Sequence, residues 1–204
     1  MAPNAYVFAE RAGAGANPPA LFLFHGTGGD EHQFLDLGAE LRPGARLIAP
    51  RGDVSEGGAL RYFRRLAEGQ YDMEDLARAT AGMAGFVGER LGPDRPPEVA
   101  GMGYSNGANI LAAMLFAHPG LFDTALLLHP LIPFEPAPQP GLAGRRILIT
   151  AGRRDPICPP PATEALAGYF RRQGAEVELV WHEGGHEIRR EELLAAQRFL
   201  AGRP

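Results

Sequence analysis

Aliphatic residues gather in six short runs along the chain: Ala20–Phe24, Arg46–Ala49, Glu98–Met102, Ala125–Leu128, Ile147–Thr150 and Val177–Trp181. Each is bounded by Gly, Pro or charge, and at this length the pattern favours strand over helix. Several are apolar at successive positions, as strands covered on both faces of a sheet should be. Helical spacing fills the intervals. Phe34, Leu37 and Leu41 recur three and four apart. Leu76, Met83, Val87 and Leu91 form a second stripe, opening after Asp72, a side chain suited to cap a helix N-terminus. Ala108–Ala117 is apolar nearly all round, as a helix packed inside a protein would be. Leu166 with Phe170, and Leu193 to Leu200, mark two more. The alternation predicts an α/β fold, a mostly parallel central sheet with helices on both faces, with Tyr6–Ala9 adding an edge strand. Glu10–Pro19 reads as a Gly/Ala/Pro loop. No repeat or linker divides the 204 residues, so one domain over 1–204 is expected.

Composition removes several classes of function. A net charge of -4 supplies no basic field for nucleic acid or an anionic membrane surface. Cys158 is the single cysteine, which excludes an intramolecular disulfide and fits a reducing compartment. The opening M-A-P-N-A-Y-V-F-A-E-R has no basic stretch followed by an apolar run, and runs such as Ala125–Leu128 are too short to span a bilayer. A cytoplasmic protein is the expectation. All the basic residues are arginine, and Ala, Gly and Pro are abundant, a bias of composition that assigns no function.

The chemistry-bearing stretch is E-V-A-G-M-G-Y-S-N-G-A-N-I-L. It contains G-x-S-x-G as Gly103-Tyr104-Ser105-Asn106-Gly107, between a predicted strand and a predicted helix. A strand that turns sharply into a helix holds the corner serine in a strained conformation, and small neighbours are needed to avoid a clash. The helix N-terminus then lies beneath the serine oxygen, where backbone N–H groups can stabilise an oxyanion. Only two serines and 27 glycines occur, so chance supplies about 0.04 matches to this pattern. The other serine, Ser55, has no such context.

A serine hydroxyl needs a base, and the base an orienting acid; in this motif's chain order both follow the serine. Asp155, held by Pro156, sits just past the Ile147–Thr150 run, and His186 follows Val177–Trp181 on a glycine loop. Successive strand ends of a parallel sheet converge, so Ser105, Asp155 and His186 can meet. Asp123 is a competing acid, better placed to cap a loop. W-H-E-G-G-H-E also spells the zinc-protease pattern H-E-x-x-H with His182 and His186. Two glycines between those histidines each cost about 1 kcal/mol in a helix, and the motif follows a strand, so no metal and no cofactor is expected. In L-F-L-F-H-G-T-G-G-D, the Thr27 N–H is expected to join that of Asn106 as oxyanion donors, with His25 tying the loop. His129, after the Ala125–Leu128 run, is a candidate pocket residue, with a packed loop histidine the equal alternative.

The set H-G-T-G-G-D, G-Y-S-N-G-A-N, G-R-R-D-P-I and G-G-H-E resembles the α/β-hydrolase fold, and more narrowly is similar to the small phospholipase/carboxylesterase family that includes acyl-protein thioesterases. R-G-D-V-S-E-G-G-A-L-R-Y-F-R-R and Y-D-M-E-D-L resemble a bacterial subgroup associated with hydroquinone stress. The resemblance spans nearly the whole chain in order. It implies a triad on Ser105, Asp155 and His186, oxyanion donors at Thr27 and Asn106, an ester or thioester substrate, and room for a homodimer. Asparagine after the serine departs from the glutamine of many thioesterase relatives, which bears on substrate preference. The short Pro-rich stretch before Ile147 leaves no space for a large lid. The Arg51–Tyr71 loop is the expected pocket wall, with Tyr62 and Phe63 holding the acyl or alcohol group. A silent ligand-binding member of the fold, a peptidase and a dienelactone-type hydrolase are the rival classes; the last usually carries cysteine where Ser105 stands.

Overall fold

The computed structural model describes residues 6–202. The first five residues, on which the reading of the N-terminus partly rests, lie outside it. In chain order the elements are β1 (Phe8–Arg11), β2 (Ala20–Phe24), α1 (Leu35–Leu41), β3 (Arg46–Pro50), β4 (Val54–Glu56), β5 (Ala59–Arg61), β6 (Arg65–Ala67), β7 (Gln70–Tyr71), α2 (Met73–Leu91), β8 (Val99–Tyr104), α3 (Asn106–Ala117), β9 (Thr124–Leu128), β10 (Arg146–Gly152), α4 (Pro160–Arg172), β11 (Glu176–His182) and α5 (Arg190–Leu200). The main sheet runs β1-β3-β2-β8-β9-β10-β11. Every pair in it is parallel except β1 with β3.

The two-residue period of a strand divides the core. Phe22 and Phe24 point to one face, where Met83 of α2, Ile110 and Leu111 of α3 and Phe170 of α4 cover them. Leu21 and Leu23 point to the other, under Phe34 and Leu41 beside α1 and Ala196 and Leu200 of α5. The six aliphatic runs are the six parallel strands, and Asp72 caps α2 by accepting the Asp75 N–H. Helix α3 is buried along most of its length, as its all-round apolar sequence requires. Between β9 and β10 the chain forms only a short 3-10 turn, Pro140–Leu142, and no lid.

Two features differ from the sequence pattern. The edge strand starts at Phe8, two residues later than expected, and its antiparallel pairing to β3 carries no signal in a run of four residues. The Arg51–Tyr71 segment is not an open loop but two small antiparallel ribbons, β4-β5 and β6-β7.

Candidate active site

The carboxyl ends of β8, β9, β10 and β11 lie along one edge of the sheet, and the chain beyond each contributes to one cluster. Ser105 follows β8 and precedes α3 with φ 52 and ψ -116, a left-handed conformation rare for a side-chain-bearing residue. The flanking glycines make that corner feasible. A Cβ at Gly107 would lie 2.2 Å from Phe24 O, and one at Gly103 2.3 Å from Gly107 O. The Ser105 N–H donates to Leu128 O (2.9 Å), which pins the corner to β9.

The structure brings Ser105, His186 and Asp155 into one hydrogen-bonded row. Ser105 Oγ lies 2.9 Å from His186 Nε2, and His186 Nδ1 lies 2.7 Å from Asp155 Oδ2. The His186 loop is held by the Tyr104 hydroxyl, which donates to His186 O (2.7 Å), while the two rings sit with centroids 5.4 Å apart. A Cβ at Gly152 would meet Gly185 O at 2.0 Å, so the His186 loop packs directly on the end of β10. Asp155 Oδ1 accepts the N–H groups of Ile157 (2.8 Å) and Cys158 (2.9 Å). Burial alone would raise the Asp155 carboxyl, but the Cys158 amide, His129, His186 and the Ile157 amide outweigh it, and it lies below its ordinary value.

Asn106 opens α3, so its N–H is among those the helix itself cannot satisfy. In the facing loop the Gly28 N–H goes to Leu60 O and the Gly29 N–H to Gly26 O, which leaves the Thr27 N–H uncommitted among the described residues. His25 fastens this loop. Its Nε2 accepts the Gly52 N–H (2.9 Å) and its Nδ1–H donates to Gly26 O (2.8 Å). Burial lowers its pKa, which suits that neutral tautomer. Thr27, Ser105, Asn106 and His186 all border a cleft of about 230 Å³.

The three side chains expected to contact substrate do not line this cleft. Tyr62 and Phe63 are fully buried. Tyr62 donates its hydroxyl proton to Pro50 O (2.8 Å), and Phe63 packs edge-on against Tyr71 (4.8 Å). The reason is the ribbon: β5 ends at Arg61, and the chain then turns its two rings into the core. The same segment does wall the cleft, through Arg61, Arg65, Glu68 and Tyr71. Arg61 is buried and donates to Thr27 Oγ1 (2.8 Å), bracing the loop after β2, while Arg65 pairs with Glu56 (2.9 Å) and with Glu68. His129, the third expected contact, lies behind Asp155 with no exposed surface. Asp123 is at the opposite end of the sheet, where it accepts from Val99 N–H, Arg95 and Arg145. Cys158 is a buried neighbour of the acid, and burial pushes its thiol pKa up, away from the reactive thiolate.

The H-E-x-x-H spacing is not a helical one here. His182 ends β11, His186 lies in a loop, and the two rings serve different partners. Glu192, which joins His182, His129 and Thr150, is invisible in the sequence, because nothing local marks a helix N-terminal glutamate as a partner of side chains at the ends of three strands.

A parallel sheet covered on both faces, with a serine on a strand-to-helix corner and its partners on later strand ends, defines the α/β-hydrolase class. No family model matches the chain. It is 38% identical over 187 residues to "Putative hydrolase MhqD" of Bacillus subtilis (strain 168), covering 91% of this chain and 94% of that protein. Its structure resembles protein Atu2452 of Agrobacterium tumefaciens str. C58 with a TM-score of 0.91 and 53% identity over 98% of each chain. It also resembles the Bacillus cereus carboxylesterase, with a TM-score of 0.87 and 35% identity over 95% of this chain and 92% of that one. The chain belongs to the α/β-hydrolase esterases of the small phospholipase/carboxylesterase family, near the MhqD-type hydrolases, and is a carboxylic ester hydrolase. No helix among the described residues is long and apolar enough to cross a membrane.

Proposed function

We propose that the chain hydrolyses small to medium carboxylic esters or thioesters through an acyl-enzyme on Ser105. The observation that carries this reading is the unbroken row from Ser105 Oγ to His186 (2.9 Å) to Asp155 (2.7 Å), set at the head of α3. The Ser105 oxygen attacks the carbonyl carbon as its proton passes to His186 Nε2. The former carbonyl oxygen becomes an oxyanion, facing the N–H groups of Thr27 and Asn106. Collapse breaks the bond to the alcohol or thiol, which leaves with the proton from His186. Water then gives its proton to His186 and its oxygen to the acyl carbon, and the acid departs as Ser105 recovers its proton. Asp155 keeps the His186 proton on Nδ1, so that Nε2 presents a lone pair to the serine.

Labelling with a fluorophosphonate probe tests the assignment. The wild-type protein should take up one probe, and Ser105→Ala should take up none while keeping its melting temperature within a few degrees. Undiminished labelling of Ser105→Ala would remove Ser105 as the nucleophile.

A further inference from the structure

Among the described residues other than glycine, only Ser105 and His129 have positive φ, at 52 and 51. They stand at corresponding places, immediately after the adjacent parallel strands β8 and β9. Backbone strain of this kind persists where surroundings impose it, and it gathers at functional positions. The corner at His129 is held from both sides: its N–H donates to Thr150 O (2.8 Å), and its carbonyl accepts from Cys158 Sγ (3.2 Å). The result aims the imidazole at the back of Asp155.

The ring is sandwiched between two carboxylates. Nδ1 lies 2.8 Å from Asp155 Oδ2, the oxygen that also receives His186, and Nε2 lies 3.0 Å from Glu192 Oε1. All three side chains are without exposed surface. Donor counting fixes the protons. Asp155 Oδ1 is filled by two backbone N–H groups. Glu192 Oε1 also accepts the Thr150 hydroxyl (2.5 Å), and Oε2 accepts the Arg189 N–H (2.6 Å). His182 Nε2 is 3.2 Å from the same Oε2, while its Nδ1 accepts the Gly184 N–H (2.9 Å), so the His182 proton is on Nε2 and points at Glu192. Both carboxylates are thus surrounded by donors, as ionised groups require, and each ring nitrogen of His129 must carry a proton to face them.

His129, His182 and Glu192 are also close enough together to ligate a cation. The tautomer argues against it. A metal at His182 Nε2 would need a bare nitrogen there while Nδ1 already spends its lone pair on Gly184, and a neutral imidazole has only one bare nitrogen.

We infer that His129 is a positioning residue of the hydrolytic site: a buried imidazolium, clamped between Asp155 and Glu192, that fixes the acid and keeps His186 in its proton-accepting form. This rests on the acyl-enzyme reading above. The His129 and His186 ring centroids are 5.1 Å apart. Without a cation between them, two buried carboxylates would both favour a protonated His186. With it, His186 experiences the net charge of a single carboxylate, and a second cation beside the first is disfavoured. Burial by itself would lower the His129 pKa, but the bonds to Glu192 and Asp155 outweigh burial and raise it above 6.5. The other titratable groups facing the ring are His182 from β11, His186 from its loop, the Tyr104 phenol from β8 (5.9 Å between centroids) and the Cys158 thiol. Burial raises the pKa of both the phenol and the thiol, so neither adds charge near neutral pH.

Two measurements test the inference. In protein labelled with 15N-histidine, one ring should keep both nitrogens protonated at about pH 8, and that signal should be missing from His129→Gln. If instead every ring shows a bare nitrogen at that pH, the imidazolium is gone and the inference with it. In His129→Gln, whose amide can still donate to Asp155 but carries no charge, the acid limb of kcat/KM should move up by about 1–2 pH units with KM little changed. An acid limb that stays in place, even with a lowered melting temperature, would reduce His129 to a structural role and overturn the proposal. Should His129→Gln fail to fold, the wild-type nitrogen spectrum alone decides. Absence of fluorophosphonate labelling in the wild-type protein would sink the hydrolytic reading instead, leaving the charge on His129 to be decided by the spectrum.

Discussion

A single methyl group separates the working corner from one that cannot form. At Gly107 a Cβ would sit 2.2 Å from Phe24 O and 2.5 Å from His25 O, both backbone atoms at the end of β2 that cannot rotate away. Gly107→Ala must therefore push α3 off the sheet or unwind the turn at Ser105. It should destabilise the protein by about 2–3 kcal/mol in urea denaturation and reduce esterase activity more than stability alone explains. Gly88 supplies the contrast. It lies in α2 with open space around the would-be Cβ, so Gly88→Ala should leave activity intact and add up to about 1 kcal/mol of stability. If the two alanines behaved alike, the tight approach of α3 to β2 would not be what selects glycine at 107. Asn106 works at the same scale in a different way. Its Oδ1 accepts the Tyr62 N–H (2.8 Å), so the residue after the serine also anchors the neighbouring ribbon.

Among the elements, the parts that could be read from the chain are those with their own periodicity. The parallel strands, α2 with its Asp72 cap, and α3 follow from apolar spacing, and the chain order serine, acid, histidine follows from where those strands end. The β4-β5 and β6-β7 ribbons escaped because strands of two or three residues, with Gly57 and Gly58 at the first turn and Arg and Glu on their faces, have no span over which alternation can register. That omission also explains the misplaced pocket residues. In an open loop Tyr62 and Phe63 would be free to hold substrate, whereas in a chain leaving β5 they fall on the core side and Arg61 and Tyr71 meet the cleft. The ribbons and the lidless β9–β10 connection together set the size of what can enter. A cleft of about 230 Å³ is smaller than the roughly 300–1,000 Å³ usual for drug-sized ligands. Across p-nitrophenyl esters from acetate to palmitate, kcat/KM should therefore peak at acetate or butyrate and fall by about tenfold or more by the octanoate. A maximum at palmitate would mean that the ribbons open further than this structure shows.

For the whole molecule, the buried charges make stability depend on pH in a way that can be assigned. Asp155 and Glu192 have pKa values below their ordinary 3.8 and 4.5, so the stability they contribute is present above those values and lost as pH falls through the folded ones. Glu31, paired with Arg51 at 2.5 Å and lowered to about 2, adds to the same acid-side loss. His129 is raised above 6.5, so its contribution is complete below 6.5 and disappears as pH rises through its folded value. Buried His25 is lowered instead, and its contribution is lost as pH falls below 6.5, the opposite sense. Cys158 and Tyr104, both raised by burial, withdraw stability only at still higher pH, beyond their unfolded values of 9.0 and 10.0. From about pH 6.5 to 8, then, the His129 proton is the one among these groups whose uptake differs between folded and unfolded chains. Urea denaturation across that window should show wild-type stability declining by up to about 1.4 kcal/mol per pH unit, the slope of one proton. His129→Gln should be less stable at pH 6.5 and nearly flat to pH 8, so the two curves converge as pH rises. Parallel curves would place the titrating group elsewhere and leave the core of the site without the charge that its two carboxylates demand.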